Sequence, residues 1–103
     1  MIDLKLASHC ANVFAALSDP HRIQVVECLR SGSKNVTQLS RLLDFELVNV
    51  SHHLGVLRSY DIVKTKKQGR FVIYSLNPQY FNSETGNITT VDLGWCRIEI
   101  PLS

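Results

Sequence analysis

A chain of 103 residues with 45% hydrophobic content has the size and composition of one compact domain that buries a core without disulfide or metal staples. Its formal charge of +2 is too mild to single out a nucleic-acid partner, but the charge is uneven: Arg58, Lys64, Lys66, Lys67 and Arg70 fall in one stretch against the single acid Asp61. The cysteines Cys10, Cys28 and Cys96 are odd in number, far apart and in no CxxC pair, which speaks against a disulfide framework or zinc knuckle and for reduced thiols in a cytoplasm.

Asp3, Lys5, His9 and Asn12 interrupt any N-terminal apolar run, so neither a signal peptide nor a membrane span is expected and the expected location is cytoplasmic. Leu6, Cys10, Val13, Phe14 and Leu17 recur at helical spacing after a possible Asp3 cap and predict an amphipathic first helix ending near Ser18. Asp19-Pro20 is a helix start. The aspartate accepts a free backbone N–H as N-cap, and proline suits the first helical position because it has no N–H to satisfy. Ile23, Val26 and Leu29, with Val25 and Cys28 beside them, carry the second helix to Ser31-Gly32-Ser33.

Asn35 and Gln38 have the spacing of a capping box, and Val36, Leu39, Leu42 and Leu43 supply the stripe of a short third helix. After Asp44-Phe45-Glu46, the residues Val50, His53, Leu54 and Leu57 stand at i, i+3, i+4 and i+7. Two helices joined by a turn of this length form a helix-turn-helix, whose second helix reads the groove. From Ile62 the period changes to two. Residues through Thr65, and again Phe71 to Leu76, are β-prone, with Lys66-Lys67-Gln68-Gly69-Arg70 between them, which predicts a hairpin with a basic tip.

Asn77-Pro78 ends the hairpin, and 82–87 is a polar loop. The tail is rich in β-formers, but its apolar phase switches near Gly94: Val91, Leu93 and Trp95 alternate, and Cys96, Ile98 and Ile100 take over afterwards. One ideal strand cannot bury both sets, so a bulge or bend around Gly94 to Cys96 is expected. The expected architecture is α+β: a winged helix-turn-helix of about four helices plus a β-hairpin wing over residues 1–81, then a β-rich tail over 82–103 forming an extra strand or strand pair.

Ala16-Leu17-Ser18-Asp19-Pro20-His21-Arg22-Ile23, Val50-Ser51-His52-His53-Leu54-Gly55-Val56-Leu57-Arg58 and Gly69-Arg70-Phe71-Val72-Ile73-Tyr74-Ser75-Leu76 resemble, in order and spacing, the ArsR/SmtB family of winged-helix repressors. The resemblance implies a homodimer that leaves its operator when a metal ion or another signal binds. It places metal ligands chiefly in a cysteine pair at the start of the third helix and in a His/Asp/Glu set on a C-terminal dimerisation helix. Here the first position reads Lys34-Asn35-Val36-Thr37-Gln38-Leu39, with no thiolate or imidazole, and a β-rich tail replaces the C-terminal helix, so no metal ion is expected.

With its apolar stripe inward, helix 47–59 turns Leu47, Val48, Asn49, Ser51, His52 and Gly55 outward. Asn49 suits bidentate bonding to adenine, Ser51 and His52 suit bases or phosphates, and Leu47 or Val48 suits a thymine methyl. Simple packing at the helix start is the alternative for that apolar pair. His53, near the stripe, is expected to be structural. Arg58 and the wing residues Lys66, Lys67 and Arg70, within 64–72, are candidates for the phosphate backbone or minor groove, against a merely solvated hairpin end.

A monomer would read one half-site and bind weakly, so dimerisation is assigned to the first helix and the tail, including Trp95, Ile98 and Ile100, unless the tail folds onto its own domain. No phosphate loop, nucleophile elbow or carboxylate pair suggests an enzyme, and no cofactor is called for. The functional expectation is a sequence-specific regulator of double-stranded DNA with no membrane partner. The alternatives are a winged-helix module for protein interaction and a redox-responsive repressor using Cys28 and Cys96.

Overall fold

The computed structural model describes residues 3–81, 88–94 and 97–101. Four helices come first, α1 (Leu4–Leu17), α2 (Pro20–Arg30), α3 (Val36–Leu43) and α4 (Leu47–Ser59). Four strands follow, β1 (Val63–Gln68), β2 (Phe71–Leu76), β3 (Ile88–Asp92) and β4 (Arg97–Pro101).

The starts of α1, α2 and α3 follow the local chemistry of the sequence. The Asp3 carboxylate accepts the Leu6 N–H at 2.8 Å, and Asp19 accepts the N–H groups of His21 and Arg22 at 2.8 and 3.1 Å. Asn35 and Gln38 close a reciprocal capping box. Asp44 takes a left-handed φ of 56° and ends α3, making the tight turn into α4. The core gathers Val13 and Leu17 of α1, Val25, Val26 and Leu29 of α2, Leu39 of α3, and Val50, Leu54 and Leu57 of α4. Ile23 is only half-buried, and its neighbour Val25 takes the inner position. Phe14 and Leu42, expected on inward stripes, are 37% and 63% exposed. The short α3 buries Leu39 fully and has no second layer against which Leu42 would pack.

β1 and β2 pair antiparallel from Val63↔Leu76 to Gln68↔Phe71, so the wing tip is the two-residue turn Gly69-Arg70. The five-residue basic connection expected from the sequence is therefore shorter, and Lys66 and Lys67 lie within β1, opposite Ile73 and Val72. Gly69 has φ 62° at the first turn position, a glycine-first hairpin turn whose twist suits the strands. Lys34, just before α3, forms a single bridge to Tyr74, with bonds of 3.0 and 2.8 Å. The wing is thereby tied to the beginning of the helix-turn-helix.

Asn77 fixes the wing's other end. Its amide donates to the Asp61 carbonyl at 2.7 Å, its side-chain oxygen accepts the Gln79 N–H at 3.0 Å, and its own N–H donates to Ile62 at 3.0 Å. The tail is not one bulged strand. β3 and β4 form a separate antiparallel two-stranded sheet, and Gly94, between them, has φ 88°. A reversal, not a bulge, thus accounts for the phase switch at this point. Val91 of β3 is fully buried in the main core, Leu93 and Ile98 pack against it, and the Asp92 N–H donates to the Tyr80 carbonyl at 2.8 Å. The tail therefore packs on its own domain. Trp95 and Cys96 lie outside the described residues, as does the Ile100 side chain. Among the described residues no helix is long and apolar enough to cross a membrane.

Candidate nucleic-acid interface

On α4 the buried face is Val50, His53, Leu54 and Leu57, and the opposite face exposes Asn49, Ser51, His52, Gly55 and Arg58. Leu47 and Val48, at the start of the helix, are 53% and 69% exposed, which removes packing at the helix start as their role. Glu46 occupies the N-cap with extended backbone, yet its side chain makes no capping bond. The Glu46 side chain therefore does not occupy the first N–H groups of this helix.

On the wing, Lys66, Lys67, Arg70 and Phe71 are exposed. Lys66 and Lys67 are adjacent in a strand and so project from opposite faces, while Arg70 stands at the tip. Lys64 is drawn back into an exposed ion pair with Asp61 at 3.4 Å, which leaves Lys66, Lys67 and Arg70 as the wing's cations facing outward.

Beneath the exposed face of α4 lies a polar knot joining three helices. The Arg22 Nε donates to the Ala16 carbonyl at the end of α1. Its Nη1 stands 3.5 Å from the His53 Nδ1 and 3.9 Å from the Asp19 Oδ2. Burial holds the His53 imidazole below its ordinary pKa, opposed by the nearby Asp19 charge and reinforced by Arg22, His21 and His52. The Arg22 N–H holds the Asp19 carboxyl below its ordinary value against the opposing effect of burial, with the His21 N–H adding to the lowering.

The His21 ring meets Phe45 edge-on at 4.7 Å and His53 at 5.6 Å. One ligand atom each of Asp19, His21 and His53 falls within 4.8 Å of the others. From the sequence, Asp19 is expected as a helix cap and His53 as a structural histidine, and His21 carries no separate role. Their separation along the chain concealed the grouping, which only the crossing of α2 over α4 creates.

The cysteines depart from expectation. Cys28 is a free, half-buried thiol, and Cys10, buried on α1, is the disulfide-bonded one. Cys28 is thus not crosslinked in this structure, and Cys96 lies outside the described residues.

Residues 19–65 match the family described as bacterial regulatory protein, arsR family. The transcriptional repressor SdpR of Bacillus subtilis is 32% identical over 66 residues, covering 64% of this chain and 73% of that protein. The HTH-type transcriptional regulator NmtR of Mycobacterium tuberculosis is 36% identical over 75 residues, and there the match spans 73% of this chain but only 62% of the relative. The solution structure of the homodimeric winged helix-turn-helix DNA-binding domain of Mb0332 from Mycobacterium bovis superposes with a TM-score of 0.70 at 25% identity, covering 77% of this chain and 75% of that one. With its winged helix-turn-helix in place, the chain belongs to the arsR family of bacterial regulatory proteins and is a DNA-binding transcriptional regulator.

Proposed function

We propose that the protein works in the cytoplasm as a homodimeric repressor, with α4 in the major groove of its operator and the wing on the flanking backbone or minor groove. The observation that carries this reading is the division of α4. Asn49, Ser51 and His52 form an exposed polar row, while the opposite face is locked into the core. In this reading Asn49 and His52 contact base edges, Leu47 and Val48 lie against thymine methyls, and Arg58, Lys66, Lys67 and Arg70 contact phosphates. Phosphates also accept from the uncapped start of α4.

Repression and dimerisation are supported by the relatives: SdpR is a repressor, and the Mb0332 domain is homodimeric. The dimer face is assigned to α1, where Leu4 is 82% exposed and Phe14 also stands out, rather than to the tail, whose Ile98 packs against the chain's own core. Selection of duplexes from random DNA, followed by titration at rising salt, tests the function. If a dimer neutralises about eight phosphates, log K falls against log salt with a slope near −7. A flat salt response with no enriched sequence overturns it.

A further inference from the structure

The geometry points to a site for a borderline divalent cation, Zn²⁺ above all, formed by Asp19 and His21 at the start of α2 and His53 on α4. It lies apart from the start of the third helix and from the C-terminal tail, the two places where the family resemblance implies metal ligands.

Two imidazoles and one carboxylate are a donor set that suits zinc and leaves a fourth position open to water. The ligand atoms lie within 4.8 Å of one another, and tetrahedral bonds of about 2.0–2.1 Å would draw them to about 3.3 Å. Two of the three are already held. Asp19 spends Oδ1 on the N–H groups of His21 and Arg22, which leaves Oδ2 for a cation. His53 is buried on the inner face of α4, with its Nδ1 3.5 Å from the Arg22 Nη1. His21 is exposed at the second position of α2, so it is the ligand that swings to close the set.

A hydrated ion has a way in. His21 and His53 border a cavity of about 420 Å³ whose wall also carries Asp44 and Glu46, two carboxylates that raise the local concentration of cations, and Asn49 and His52. Arg22 sets the competition. Its Nη1 stands 3.9 Å from Asp19 Oδ2 and 3.5 Å from His53 Nδ1, a place between the two atoms that the metal would claim. Binding displaces Nη1 while Nε stays on the Ala16 carbonyl, so affinity is lower than at a site free of a resident cation. The proposal does not rest on the operator reading, since it is tested without DNA.

The experiment is a titration of the intact protein with Co²⁺, read by d–d absorption, then displacement by Zn²⁺ and thermal unfolding with and without Zn²⁺. One ion per chain is expected, with four-coordinate bands and a rise in melting temperature. His21→Gln alters an exposed residue. Asp19→Asn removes the charge but keeps a good cap, so both variants remain folded. Each should weaken binding at least about tenfold and abolish the Zn²⁺-dependent thermal shift, while His9→Gln and Cys28→Ser leave both unchanged. No saturable binding overturns the site. So does binding that survives both His21→Gln and Asp19→Asn, or that is lost with His9→Gln or Cys28→Ser.

Discussion

Arg22 and His53 meet where α2 crosses α4, Nη1 to Nδ1 at 3.5 Å, and the same guanidinium reaches the end of α1 through the Ala16 carbonyl. One side chain thus fastens the groove-reading helix to the two helices behind it. Burial is what chiefly disfavours a positive charge on this imidazole; the nearby Asp19 carboxylate opposes the burial, and the Arg22 cation, a weaker influence than Asp19, adds to it.

Stability should therefore fall on mild acidification. The His53 pKa is lowered in the folded state, so just below the ordinary histidine value the unfolded chain binds more protons. The contribution is fully present above about pH 6.5 and is lost as pH falls from there through the lowered folded value. Asp19, also lowered, adds a further loss in stronger acid, as pH falls through its lowered folded value. Urea unfolding across this range checks the first step, and His53→Gln, if it folds, should flatten it.

Asn77→Ala should cost about 1–3 kcal/mol, because it removes a buried side chain that donates to the Asp61 carbonyl and accepts from the Gln79 N–H. Chemical denaturation measures it. Asn77→Asp should recover only part, since it restores the acceptor without the amide donor.

Glu46→Ser should stabilise the fold by about 1 kcal/mol, raising the melting temperature by several degrees. The backbone at 46 already has the extended geometry of a cap, and only the capping side chain is missing. An unchanged melting temperature would contradict the reading of this helix start.

Lys66, Lys67 and Arg70 replaced together by alanine should leave folding intact and weaken DNA binding alike across sequences. Removing about six cations from a dimer should reduce the magnitude of the salt slope by about 5. An unaltered slope would return the wing to a solvated hairpin.

Phe14→Glu should yield a monomer by light scattering, with DNA affinity reduced to that of a single half-site. Cutting the chain after Phe81 is the poorer test, because it also removes Val91 from the core.

Most of the helical framework was legible because its signals are local: Asp19-Pro20 starts α2, the Asn35/Gln38 box starts α3, and the stripe through Val50, His53, Leu54 and Leu57 orients α4. What stayed hidden depends on contacts distant in sequence. Nothing near Lys34 announces a partner 40 residues on at Tyr74. The period of the tail revealed a discontinuity but could not tell a bulge from a reversal, since both rephase the side chains. The Asp19, His21 and His53 cluster escaped for the same reason.

The wing is held at both ends, by the Lys34–Tyr74 bridge and by Asn77 under Asp61. A hairpin left loose would surrender its conformational entropy on meeting DNA, and each contact it made would be worth less by that amount. In this molecule that loss is taken when the chain folds. With α4 and the wing engaging DNA as proposed, the distance between them would act as a preset gauge, and duplexes whose groove width does not match it should be penalised even at base pairs that no side chain touches.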